Sequence, residues 1–157
     1  DRNARLFGAE EREAIDACIP WTRVVEERHT TFGGKEIDLP RFIRDNRERL
    51  VLKPNDEYGG KGIVLGWEAT DAEWEAGLAA AREAPYIVQE RIALPSEPYP
   101  SVVDGELRVF DRMLDTAPFV SDGAYVEGCM TRLGTAALLN VTAGGGSNVP
   151  TYVIESR

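Results

Sequence analysis

The sequence has few of the features that would send a chain to a membrane, an oxidising compartment or a nucleic acid. No apolar run approaches the roughly 20 residues a membrane-spanning helix needs, and no signal-peptide core opens the chain. Cysteine is scarce: Cys18 and Cys129 have no C-x-x-C spacing and no secreted framework around them, so they read as reduced thiols in a cytoplasmic protein. Basic charge is in deficit, with a net −9, and the lack of clustered cations argues against nucleic acid or an anionic membrane as partner. An anionic substrate must therefore be met locally. Histidine occurs once, at His29, in a polar stretch without evident partners, and it reads as a surface residue. There is no internal repeat and no G-x-x-x-x-G-K-[ST] order. The chain opens at Asp1 rather than methionine, and the expectation is that an upstream portion of a longer polypeptide is missing.

What is present is an ordinary proportion of core-forming residues, 43% apolar against 29% charged over 157 residues, enough for one domain or one piece of a larger one. The most informative stretch is Leu50 to Gly66. Two short β-rich apolar runs flank a loop with Lys53, Asp56, Glu57, Lys61 and the glycines Gly59, Gly60 and Gly62. Glycines let backbone N–H groups approach phosphate oxygens, lysines supply positive charge, and a carboxylate can hold a bridging magnesium ion. By spacing alone this is either a nucleotide clamp or a glycine-rich hairpin with surface charges.

The remaining elements are read from periodicity and punctuation. Ala14, Ile15 and Cys18 lie at helical intervals over Ala9 to Cys18, and Pro20 ends that helix. Ile19-Pro20-Trp21-Thr22 reads as a rigid turn whose indole docks the arm, residues 1–37, onto the remainder, 38–157. Asp38 offers an N-cap, with Pro40 in the first turn, for a helix to about Arg49. Ile63 to Leu65 predicts a returning strand, and Thr70-Asp71-Ala72-Glu73 a capping box opening a helix to about Arg82, with Trp74, Leu78 and Ala81 on its buried stripe. Tyr86 to Ile92 predicts a strand and Leu94 to Pro100, with three prolines, an extended connection. Further strands are expected at Leu107 to Phe110, near Ala124 to Leu133 after a loop, and at Thr151 to Ile154. The class is α+β with a largely antiparallel sheet and packed helices.

Five segments in order carry a family resemblance: Ile19-Pro20-Trp21-Thr22-Arg23, Lys53-Pro54-Asn55-Asp56 with its glycine loop, Gln89-Glu90, Thr131-Arg132 and Gly144-Gly145-Gly146-Ser147. Together they resemble the bacterial circularly permuted ATP-grasp group, related to glutathionylspermidine synthetase, and the loop is similar to that of eukaryotic-type glutathione synthetase. Glu127-Gly128-Cys129-Met130 departs from the family's Pro-Gly-Gly-Leu, a difference that bears on the substrate pocket.

The resemblance implies a C-terminal part of an ATP-grasp fold and a carboxylate-amine ligase. Such a ligase activates a carboxylate with ATP and Mg2+ to an acyl phosphate, which an amine of a small molecule or peptide attacks. Lys53, Lys61 and the amides of Gly59, Gly60 and Gly62 would hold the phosphates, and Glu57 the magnesium ion. Gln89 to Ile92 would read the adenine edge through backbone groups, with Glu90 towards the ribose or, alternatively, an exposed strand carboxylate. Arg108 and Arg132 would meet anionic groups, or else form structural ion pairs with Asp104, Asp111 or Asp122. Asn140 and the turn at Gly144 to Ser147 would close over the acyl phosphate, or form a plain β-turn. The other class of reading is a non-catalytic ATP-grasp-like module that binds a nucleotide or a partner, with the upstream half of the same polypeptide as one possible partner.

Overall fold

A computed structural model of the chain describes residues 4–139 and 146–152. The class is α+β, and every strand pairing among the described residues is antiparallel. The chain forms two compact units, Asp1–Ile92 and Ala93–Arg157.

In the first unit, helix α1 spans Ala9–Cys18, and the Glu11 carboxylate accepts from the Gly8 amide at 2.6 Å to close its first turn. Strand β1 (Thr22–Val24) follows, then the hairpin of β2 (His29–Phe32) and β3 (Lys35–Asp38). Asp38 caps α2 (Leu39–Asp45), its carboxylate accepting from Arg41 N at 2.9 Å with Pro40 in the first turn. The expected helix to Arg49 stops at Asp45 and gives way to a 3-10 turn, Arg47–Arg49, which tightens the chain into β4 (Leu50–Pro54). Then come β5 (Val64–Leu65), α3 (Asp71–Glu83) and β6 (Tyr86–Glu90). The sheet order is β1-β6-β4-β5. The stretch 1–37 thus supplies β1 to this sheet, and the division between compact units falls at 92/93.

Strand alternation divides the sheet's side chains between two faces. Leu50, Leu52 and Val88 point to one face, where Leu39 and Ile43 of α2 and Trp74 and Leu78 of α3 cover them. Each such side chain contributes roughly 1.5–3 kcal/mol on burial. The capping box of α3 forms as read: Thr70 Oγ1 accepts from Glu73 N at 3.3 Å, and Glu73 Oε2 accepts from Thr70 N at 2.8 Å. Trp21 packs edge-on against Phe32 and Phe42, and donates through its indole N–H to the Thr31 carbonyl at 2.7 Å.

The second unit is a four-stranded sheet in the order β10-β9-β8-β7, with β7 Ser96–Val103, β8 Glu106–Ser121, β9 Tyr125–Gly134 and β10 Ser147–Val149. Asp104-Gly105 and Asp122-Gly123, all at positive φ, turn β7 into β8 and β8 into β9. Three expectations are corrected here. The proline-rich stretch is strand β7, β8 runs on without the expected loop, and the last described strand lies at Ser147–Val149 rather than at Thr151 to Ile154, of which residues 153 and 154 lie outside the described residues.

Candidate functional site

The face of the first sheet opposite the helices carries Thr22, Gln89 and Lys53 on three adjacent strands. Register explains why: Thr22 stands opposite Gln89, and Lys53 lies two residues beyond Val51, which faces Gln89 from the other side. Lys53 Nζ donates to Gln89 Oε1 at 2.6 Å, Gln89 Nε2 donates to Thr22 Oγ1 at 2.8 Å, and the threonine hydroxyl donates to the Pro20 carbonyl at 2.8 Å. An ammonium only donates, so the glutamine must present its carbonyl to Lys53, and its amide then needs the acceptor that Thr22 supplies. Lys53 is half-buried, and its recorded partner is neutral, which leaves its charge uncancelled and two of its three donors available.

The loop after Lys53 arches back to β5, which pairs with β4 at Leu52 to Val64 and Val51 to Leu65. Gly59, Gly60 and Gly62 sit at φ 69°, 80° and 73°, where side chains other than glycine are disfavoured. At Gly62 the space is closed as well, since a Cβ would stand 3.2 Å from both Pro54 Cγ and the Tyr86 hydroxyl. The amides of Lys61 and Ile63 are turned inward to the carbonyls of Tyr58 and Gly60, both at 3.3 Å. Glu57 and Lys61 form an exposed i, i+4 ion pair at 3.4 Å. Among the described residues no group of three histidine, cysteine or carboxylate side chains is placed to hold a metal ion. Glu57 can supply a single carboxylate oxygen to a magnesium ion whose other ligands come from phosphates and water.

Further along the sheet, β6 lies between β1 and β4, so the backbone of Gln89 and Glu90 is engaged: Glu90 N donates to the Trp21 carbonyl at 2.8 Å, and Arg91 N to the Arg49 carbonyl at 2.8 Å. Ile92 has no backbone partner among the described residues and is 61% exposed, which makes it the part of Gln89 to Ile92 available for edge-on hydrogen bonding. The Glu90 side chain pairs with Arg49 at 3.2 Å. Arg23 donates to Thr30 Oγ1 and to the carbonyls of Thr22 and Thr31, and lies over the Trp21 ring. Burial first, and then the neighbouring Arg28 charge, pull its pKa below the ordinary value.

In the second unit Arg108 pairs with Glu106 at 3.0 Å on its own strand. Arg132 grips Asp115, its cross-strand neighbour, through both Nε and Nη2. Hydrogen bonds to that carboxylate raise the guanidinium's pKa, against a smaller opposing effect of burial. Both arginines thus have ion-pair partners, though not the three aspartates considered from sequence. Asn140, Gly144 and Gly145 lie outside the described residues.

No family model matches the chain. Three curated relatives, uncharacterized proteins of Mycobacterium bovis and of two strains of Mycobacterium tuberculosis (H37Rv and CDC 1551), are each 36% identical over 124 residues. The match takes in 73% of this chain but 22% of each relative, so the chain spans about a fifth of their length.

Two residues carry no role of their own in the sequence reading. Thr22 reads there as part of a turn and of the Ile19 to Arg23 segment, although its place in a β-capable Thr-Arg-Val run signals a strand. Arg112 follows Phe110 at the two-residue spacing that puts both on one strand face, a pattern visible once β8 is known to continue.

Proposed function

We propose that this chain is the ATP-binding portion of an ATP-dependent carboxylate-amine ligase of the circularly permuted ATP-grasp kind, working in the cytoplasm on small-molecule or peptide substrates. The observation that carries the reading is Lys53: a half-buried ammonium at the end of β4, fixed by the neutral Gln89 amide, beside a loop with three glycines at positive φ. In that reading ATP supplies the phosphoryl group that turns a carboxylate into an acyl phosphate open to attack by an amine. Lys53 offers its two remaining donors to phosphate oxygens, and Gln89 and Thr22 hold it so that little rotamer freedom is lost on binding. In the same reading the Lys61 ammonium and the glycine loop add donors, and Glu57 contributes one ligand to Mg2+. For the adenine edge Ile92, two residues past the end of β6, is the member of Gln89 to Ile92 without a backbone partner among the described residues. Arg108, Arg132 and Asn140 remain the proposed residues for substrate carboxylate or phosphate.

A non-catalytic nucleotide- or partner-binding module is the second reading. It is favoured by the engagement of Glu57 with Lys61 and of Arg132 with Asp115, which leaves both side chains occupied within the fold.

Calorimetric titration of the 157-residue chain with Mg-ATP tests the first claim. Saturable heat is expected, with Lys53→Ala weakening binding about tenfold or more through loss of a charge-assisted contact. A folded sample that gives neither heat nor a thermal shift would sink the nucleotide reading. Release of ADP by a longer protein containing this chain, supplied with amino-acid acceptors, separates the ligase from the binding module.

A further inference from the structure

The described residues of the second unit include three arginines and no lysine. Arg108 and Arg132 have carboxylate partners, whereas Arg112 has none within ion-pairing distance among the described residues. This is so although Glu97 stands directly across from it on β7. Instead its guanidinium lies 5.2 Å from the centroid of the Phe110 ring. A contact of this kind uses none of the N–H donors of the guanidinium, which keeps them for an acceptor.

Arg112 is half-buried and lines a cleft of about 280 Å3 together with Tyr99, Ser101, Thr135, Ser147 and the chain at Gly146. That lining carries four hydroxyl groups and one cation, and no carboxylate among the described residues. In a protein with 27 acidic residues, such a cleft is a local exception to the prevailing charge. Guanidinium only donates, and hydroxyls adapt their donors to what faces them, so the complement of this set is an acceptor-only, negatively charged group. The volume falls at the small end of ligand pockets and matches a molecule of amino-acid size rather than a whole nucleotide.

We infer that the second unit carries an oxyanion-binding pocket centred on Arg112, which takes the carboxylate or phosphoryl group of a small molecule. The guanidinium fork grips two oxygens while Tyr99, Ser101 and Ser147 supply further hydrogen bonds. The inference is independent of the nucleotide reading, because it uses no residue of the Lys53 loop and lies in the other compact unit.

The test is an NMR titration of the 157-residue chain at constant ionic strength, one arm with inorganic phosphate and the other with succinate. Saturable shifts are expected for the Arg112 Nε–H and the amides of Ser101 and Ser147. Response to phosphate alone assigns a phosphoryl group, and response to succinate alone assigns a carboxylate. Arg112→Gln should weaken the response about tenfold or more, as for loss of a charged hydrogen-bond donor. Arg41→Gln, an exposed arginine of the first unit, should leave it unchanged. Should Arg112→Gln fail to fold, Tyr99→Phe serves in its place, with an expected loss of about threefold for a neutral hydrogen bond. Shifts that never saturate in either arm, that persist at full size in Arg112→Gln, or a solution ion pair between Arg112 and Glu97 would overturn the inference.

Discussion

Lys53 beside a glutamine and Arg132 beside an aspartate would meet an incoming anion on different terms. The first loses no ion pair when it binds; the second must exchange Asp115 for the ligand or engage it through the donors left over. The Arg132–Asp115 pair is about 30% exposed on each side, so solvent screens it, and a double-mutant cycle with Arg132→Gln and Asp115→Asn should report a coupling of roughly 1 kcal/mol by urea denaturation. Trp74 offers a second measurement at this scale. It is 2% exposed, and its indole N–H is buried without a partner among the described residues. Replacing it by phenylalanine removes packing atoms and an unsatisfied donor together, two effects of opposite sign and each about 1–3 kcal/mol, so Trp74→Phe should lie within about 1 kcal/mol of the parent. Leu50→Ala, which only empties space in the same core, should cost about 2–5 kcal/mol.

At the scale of elements, the glycine hairpin depends on how β5 leaves the sheet. Gly66 N donates to the Leu50 carbonyl at 3.0 Å, and a Cβ there would land on the Arg47 carbonyl and within 2.8 Å of the Leu50 oxygen. Both obstacles are backbone, so Gly66→Ala should destabilise by roughly 3 kcal/mol and loosen the loop with it, as thermal denaturation would register. The cap of α3 is pH-sensitive in a defined direction. Hydrogen bonds from the Thr70 amide and hydroxyl hold the Glu73 pKa below its ordinary value, so the cap's contribution is present above the unfolded carboxylate range, near pH 4.3, and fades as pH falls through the lower folded value. Thr70→Ala, which removes the hydroxyl but keeps the backbone amide, should reduce that dependence in acid denaturation, and Glu73→Gln should abolish it. These caps were legible because they are local: Asp38, Thr70 and Glu73 act within three residues of themselves. Strand β7 was not, because three prolines mark an extended run without showing whether it pairs, and a sheet edge tolerates them. Pro98 and Pro100 are two apart, so their missing N–H groups fall on the same side, and β7 pairs on one side alone, with β8. The loop expected inside β8 failed similarly, since at Pro118 the strand has left β7 behind and pairs with β9 alone. The Lys53 loop was readable in its residues. Its fixing by Thr22 was not, because that depends on a pairing between residues 67 positions apart.

For the molecule as a whole, the buried core is unevenly shared. The cluster around Leu50 and Trp74 lies wholly within residues 1–92, whereas the buried apolar side chains described in the second unit are Leu133 and Leu139. Val102, Leu107, Val109, Phe119, Val120 and Val126 of that sheet are exposed. A fragment of residues 1–92 should therefore unfold cooperatively on heating, and one of 93–157 should not, by calorimetry of each. The neutral partner of Lys53 has a further consequence for how the protein responds to its medium. In a chain of net charge −9, the field at long range repels a polyanion, while attraction exists only at the distance of one uncancelled ammonium. Ions screen the distant repulsion before they weaken the contact, since the Debye length at physiological salt is about 8 Å. Association with an anion at Lys53 should then become faster, not slower, as ionic strength rises from very low values towards the cellular one.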